Sequence, residues 1–182
     1  VTINAEGKII LVGSTTDYQN YKMLLIQVNP DGSIDNSFGT NGITTVNVGL
    51  VEVNKADYAF DVDIDADGNI LVAGSSLDTA YMNMPTVVRF TPSGQVDQTF
   101  GNQGVASIPA IHGENVFDCI KVQNDGKIVA AGHYAQGLLW FVLLVTRFNE
   151  DGSLDQSFGD NGIIKYSYSN VDDEAYGLDI TP

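Results

Sequence analysis

The chain is poor in the residues from which most small-site chemistries start. Of its 182 residues, one is cysteine, one is tryptophan, two are histidine and eight are lysine or arginine. A single cysteine excludes an internal disulfide framework, and no zinc-type spacing of ligands occurs. The eight basic residues face 23 acidic ones, for a net charge of −15. The imbalance is even along the chain. Three, one and four basic residues stand against seven, seven and nine acidic ones in residues 1–61, 62–119 and 120–182. No stretch is basic, which argues against nucleic acid as a partner, since phosphate neutralisation needs clustered cations. An anionic membrane surface is disfavoured for the same reason. The longest apolar run, Leu138-Leu-Trp-Phe-Val-Leu-Leu-Val145, falls far short of the ~18 residues of a membrane span, so no membrane insertion is expected. A signal peptide, a Gly-rich phosphate loop and a nucleophile elbow are not visible either.

What is present is repetition. Asp31-Gly-Ser-Ile-Asp35-Asn-Ser-Phe38-Gly-Thr-Asn-Gly42 returns as Ser93-Gly-Gln-Val-Asp97-Gln-Thr-Phe100-Gly-Asn-Gln-Gly104, and again as Asp151-Gly-Ser-Leu-Asp155-Gln-Ser-Phe158-Gly-Asp-Asn-Gly162. A second signature precedes each: Glu6-Gly-Lys-Ile-Ile-Leu-Val-Gly13, Asp67-Gly-Asn-Ile-Leu-Val-Ala-Gly74 and Asp125-Gly-Lys-Ile-Val-Ala-Ala-Gly132. Gly13 and Gly74 are 61 positions apart, Gly74 and Gly132 are 58. Such a period marks a structural unit that buries its apolar face against a neighbouring copy.

Within the second unit, Ala59–Ile64 alternates apolar and polar residues, the period of a half-buried strand. The Asp67-Gly68 pair suits a hairpin, and Ile70–Ala73 is a short apolar run of the kind covered on both faces. Thr86–Phe90, a turn at Thr91–Gly94 and a last short strand at Val105–Ile108 complete the unit. The pattern predicts an all-β fold of about three four-stranded antiparallel repeats, which is the composition of β-propeller blades. The units run 1–61, 62–119 and 120–177, with residues 178–182 starting a fourth. Tyr176-Gly-Leu-Asp-Ile180 matches Tyr58-Ala-Phe-Asp-Val62. Propellers close with about 4–8 blades, so the expected partners of three units are other blades of a parent chain or a self-associated copy. Gly13, Gly74 and Gly132 mark a bulge or a close backbone approach. Phe38, Phe100 and Phe158 are expected to plug the seams between blades.

The paired signatures resemble the bacterial delta-60 repeat, a β-propeller module of large secreted and surface proteins, and the resemblance covers the whole chain. It implies a secreted or cell-surface address and supplies no catalytic residues. Ser93 and Glu6 stand where the repeat carries aspartate.

Candidate chemistry is sparse. Asp31 with Asp35, Asp151 with Asp155, and the triplet Asp63, Asp65, Asp67 offer oxygen ligands for calcium, whereas aspartates at such turns ordinarily cap backbone amides. No other cofactor is indicated. Arg89 and Arg147 occupy equivalent places, with Gln27 in unit one, and suit ion pairs with turn aspartates. Cys119, matched to Val62 by the Phe-Asp pair before it, reads as a buried, inert thiol, and neither His112 nor His133 sits in a triad-like setting. The units differ most between their second and third strands, where Tyr18, Tyr21, Tyr81, Tyr134 and Trp140 could bind a glycan or a protein, or could cover blade edges. The expected function is therefore a non-catalytic binding or adhesion module. The alternatives are a structural spacer and, third, a hydrolase or lyase.

Overall fold

The computed structural model describes residues 1–50, 55–109, 113–136, 140–168 and 172–181. They form twelve strands and, among the described residues, no helix. Blade 1 holds β1 (Thr2–Ile3), β2 (Ile9–Thr16), β3 (Tyr21–Val28) and β4 (Ile43–Val46). Blade 2 holds β5 (Tyr58–Ile64), β6 (Ile70–Leu77), β7 (Asn83–Phe90) and β8 (Val105–Ser107). Blade 3 holds β9 (Asn115–Val122), β10 (Ile128–Gln136), β11 (Trp140–Phe148) and β12 (Ile163–Tyr166). Each blade is an antiparallel meander whose neighbours in sequence are neighbours in the sheet. The repeat bounds at 61/62 and 119/120 pass through β5 and β9, so the sequence period is offset from the sheets. His112, and Leu138 and Leu139 of the apolar run, lie outside the described residues.

The core sits between sheets rather than within one. One cluster joins Ile10, Met23, Leu25 and Phe38 of blade 1 to Val62, Ile70, Val72, Val88 and Phe90 of blade 2. The other joins Leu71, Ala73, Val87 and Phe100 of blade 2 to Phe117, Ile120, Ile128, Leu144 and Phe148 of blade 3. Blade 2 thus buries both faces, which is why β6 reads as an apolar run without alternation. The first strands converge. On β5, Asp61 Oδ2 accepts from Ile120 N at 3.0 Å and Asp63 Oδ2 accepts from Val122 N at 2.8 Å, both on β9.

Phe38 and Phe100 fill the seams as expected, at 1% and 0% exposure. Each ring lies over a glycine of the next blade. A Cβ on Gly94 would come within 2.7 Å of the Phe38 ring, and one on Gly152 within 3.0 Å of the Phe100 ring. Backbone bonds cross the same seams, from Gly39 N to Ser93 O (2.9 Å) and from Gly101 N to Asp151 O (2.8 Å). Phe158 is half-buried, and among the described residues no later sheet packs on its ring.

A close approach also explains Gly74 and Gly132. Both sit opposite a bulge in the first strand, and an added Cβ would meet Tyr58 O at 1.8 Å or Val116 O at 2.3 Å. The bulges correct one alignment. Cys119 pairs with Ala131, as Asp61 pairs with Ala73, so Ile120 rather than Cys119 is the counterpart of Val62. The Phe-Asp pair misleads because Phe117 takes the inward place of Ala59, while Phe60 bulges outward and is 49% exposed.

Candidate functional site

The meander gives the stack two rims. The β1–β2 type hairpins and the long signature turns share one rim. The β2–β3 type hairpins and the crossings between blades share the other.

On the signature rim the acidic residues are spent on turns. Asp35 Oδ1 accepts from the Ser37 amide (3.0 Å) and hydroxyl (2.6 Å), and Lys8 Nζ lies 2.9 Å from its other oxygen. The Ser37 hydroxyl and then Lys8 hold this carboxyl down at about 2. Asp97 accepts from Thr99 in the same way and from Arg89 Nε at 2.8 Å. Asp155 accepts from Ser157, from Lys127 Nζ at 2.8 Å and from Arg147 Nε at 2.7 Å. Its carboxyl is held well below the usual range, by Lys127 first and the Ser157 hydroxyl next. Blade 1 has Gln27 in the arginine position, and Lys8 replaces the missing cation. Both guanidinium groups also lie over the signature phenylalanines, Arg89 at 4.8 Å from the Phe100 centroid and Arg147 at 4.6 Å from that of Phe158. These are structural ion pairs with a stacking contact, and the aspartates cap turns.

Within the triplet Asp63, Asp65, Asp67 the carboxylates serve different partners. Asp63 reaches across to β9, whereas Asp65 caps the hairpin through the Asp67 and Asn69 amides. Among the described residues no three His, Cys, Asp or Glu side chains are placed to share a metal ion. Cys119 is buried, its Sγ donating to Ala131 O at 3.4 Å, and burial pushes the thiol up to about 11. A pairing that the sequence did not reveal joins His133 Nδ1 to Asp118 Oδ2 at 3.0 Å, with the imidazole 4.7 Å from the Phe141 ring. Burial lowers the imidazole pKa, but Asp118, Glu174 and Glu114 outweigh it and the net direction is up. A groove of about 320 Å³ runs between β4 and β8, beside Val46, Leu50, Met84, Gln98 and Val105, and its lining carries no titratable side chain.

The crossing rim is aromatic. Tyr18 is fully exposed and Tyr81 is 54% exposed, each at a hairpin tip. Both have left-handed backbones, with φ of 73° and 60°, a conformation costly for bulky side chains and concentrated at functional sites. Asp17 and Asp78 hold these tips by accepting turn amides. Tyr21, 46% exposed, packs on Tyr58 with ring centroids 5.2 Å apart, and Tyr58 stacks on Phe60 at 6.3 Å. Tyr58 and Phe60 were missed in the sequence. The signal was their i, i+2 spacing at the mouth of a strand opposite a bulge glycine. Tyr134 and Trp140 do not join this surface. Tyr134 lies in β10 at 5% exposure, donates to Pro109 O and carries Lys165 Nζ 3.4 Å over its ring, while Trp140 opens β11 and packs on the core. The strands simply extend further past Gly132 than the apolar run suggested.

Sheets that share seams and differ at one rim define a β-propeller repeat domain. A family model described as a domain of unknown function (DUF5122) beta-propeller matches residues 5–38, 66–100 and 140–158. Each matched stretch ends on the seam phenylalanine of its blade, and the first two start at the hairpin before the apolar strand. No curated protein matches the chain.

Proposed function

We propose that this domain is a non-catalytic binding module whose ligand face is the crossing rim, and that it takes a neutral glycan or a protein surface. The observation that carries this reading is the set of exposed aromatics Tyr18, Tyr21, Phe60 and Tyr81 on one rim, with half-buried Tyr58 packed against Tyr21 and Phe60. Aromatic faces pack against sugar rings and apolar side chains, and tyrosine adds a polar edge. The overall negative charge disfavours acidic polysaccharides. By resemblance to the delta-60 repeat, the module works in a secreted or cell-surface bacterial protein. The repeated polar residues are engaged in turns and seams, which leaves the unrepeated rim as the place for recognition. The test is calorimetric titration of the domain with a panel of neutral oligosaccharides and candidate surface proteins, repeated with Tyr21→Ala/Phe60→Ala and Tyr18→Ala/Tyr81→Ala. Binding lost in these folded variants supports the reading. Binding that survives both pairs refutes the rim assignment.

A second reading, a spacer in a longer blade array, is favoured by the unlike faces at the two ends of the stack. Absence of any ligand across the panel would favour it.

A further inference from the structure

The two seams differ at the second residue after the bulge glycine. In blade 3 it is Tyr134, paired with Val142, and in blade 2 it is Ser76, paired with Met84. Both face the preceding blade. Tyr134 fills its place with a ring. It is 5% exposed, its hydroxyl donates to Pro109 O at 3.1 Å, and Lys165 Nζ lies 3.4 Å from its centroid. Each of these neighbours has a counterpart one seam back. Pro109 corresponds to Asn47, just beyond the last strand of the preceding blade. Lys165 corresponds to Ser107, since they pair with the equivalent residues Leu144 and Thr86.

Between blades 1 and 2 serine leaves that ring out. Ser76, Asn47 and Ser107 all line the groove between β4 and β8. The groove is therefore the space that the Tyr134 ring occupies at the next seam. Its volume of about 320 Å³ falls at the lower end of the range for small-molecule sites, about 300–1,000 Å³.

The lining suits a ring with a polar edge. Met84, 9% exposed, joins Val46, Val96 and Val105 in offering apolar contact, and a thioether packs favourably on aromatic rings. Ser76 is 1% exposed, with Oγ 2.9 Å from Thr86 Oγ1. Thr86 spends its proton on Met84 O at 2.9 Å. Ser76 is then the donor to Thr86, and its own oxygen keeps room to accept. The exposed amides of Gln98, Asn102 and Gln103 stand at the mouth. Gln103 holds a left-handed backbone, φ 53°, where the other two blades carry asparagine, Asn41 and Asn161, which tolerates it better. No lining side chain is titratable, so an ion placed there would lose water without gaining a counter-charge.

We propose that this groove is a binding site for a neutral phenol ring, which takes the place that Tyr134 fills at the next seam. The ring lies between Met84 and the valines, its hydroxyl donates to Ser76 Oγ, and its para substituent leaves through the amide-lined mouth. The site lies in the wall between two blades and is independent of what the crossing rim binds.

The test is titration of the full chain with p-cresol, followed by the isotope-labelled methyl signals of its methionines. Met84 reports the groove, and Met82, in the hairpin that carries Tyr81, reports the crossing rim. We expect a saturable shift of Met84 at millimolar ligand with Met82 unmoved, and no shift with methyl glucoside, a hydroxylated ring without an aromatic face. A peptide, acetyl-Gly-Tyr-Gly-amide, distinguishes the source of the ring. A Met84 shift with the peptide assigns the site to a tyrosine of a partner protein, and a shift with p-cresol alone assigns it to a free phenol. Ser76→Tyr rebuilds the counterpart ring from inside and should abolish the shift. Ser107→Lys sets an amine over the ring, as Lys165 does at the next seam, and should tighten p-cresol binding about two- to fivefold. No saturable Met84 shift, or a glucoside shift equal to that of p-cresol, overturns the proposal. So does a shift that survives in folded Ser76→Tyr or, if that variant does not fold, an affinity that Ser107→Lys leaves unchanged.

Discussion

Replacing Phe100 by alanine tests the seam architecture most directly. The ring is fully buried between blades 2 and 3, under Gly152 and beside the Arg89 guanidinium. A phenylalanine buries on the order of 200 Å², which at about 25 cal/mol per Å² corresponds to about 5 kcal/mol. Buried Phe→Ala substitutions cost about 3–5 kcal/mol, with the larger values where the cavity cannot collapse. Collapse is resisted here because the Gly101 amide bond to Asp151 O pins the two blades on either side of the ring. We therefore expect a loss near the upper end, a large part of the roughly 5–15 kcal/mol of a whole domain. The assay is urea unfolding followed by tryptophan fluorescence, since Trp140 packs on the same cluster. Phe158→Ala is the internal control, with the same residue and turn but a half-buried ring. Its loss should be less than half that of Phe100→Ala. Equal losses at the two positions, or a Phe100→Ala loss below about 1 kcal/mol, would refute the assignment of this residue as a seam plug.

Three further outcomes follow from the same geometry. Gly74→Ala should destabilise the domain strongly, because its Cβ would sit 1.8 Å from Tyr58 O, while Gly13→Ala, whose Cβ would meet nothing within 4 Å, should leave the melting temperature almost unchanged. Cys119, with its thiol pushed up to about 11, should resist a thiol reagent at neutral pH in the folded protein and react fully in denaturant; rapid labelling without unfolding would contradict its burial. His133 has a folded pKa above its ordinary 6.5, so its contribution is complete below that value and is lost as pH rises through the folded pKa. Thermal stability should therefore fall as pH rises above about 6.5, and Asp118→Asn, which removes the main partner opposing burial, should flatten or reverse that trend. A slope identical in the variant would remove Asp118 as the cause.

The strands, the blade count and the turn aspartates were legible because local chemistry fixes them. Asp97 caps its turn through Thr99 two residues on, and Arg89 lies in the adjoining strand, so short-range reading suffices. The register of β9 was not legible. A bulge inserts one residue without any change in the apolar pattern, and the recurrence of Phe-Asp concealed it. The aromatic rim was half legible. Tyr18, Tyr21 and Tyr81 fall at hairpin ends, where exposure follows from the turn. Tyr134 was misplaced because β10 runs to Gln136 and buries it, and Tyr58 and Phe60 join Tyr21 only through the approach of β5 to β3. That approach is a property of neighbouring blades and leaves no mark within one repeat.

The seam has a direction, since phenylalanine always lies on the earlier blade and glycine on the later one. Every period of the chain therefore carries two unlike half-joints, a ring at one side and a bare backbone at the other. Copying a whole period in the gene inserts both halves in the correct order, and the new blade finds complementary partners before any substitution occurs. Copying part of a period would instead leave a half-joint facing its own kind. Growth by whole units is thus the one large insertion this architecture accepts without exposing fresh apolar surface. A defect at one phenylalanine, by the same logic, weakens the joint that follows it and spares the one before.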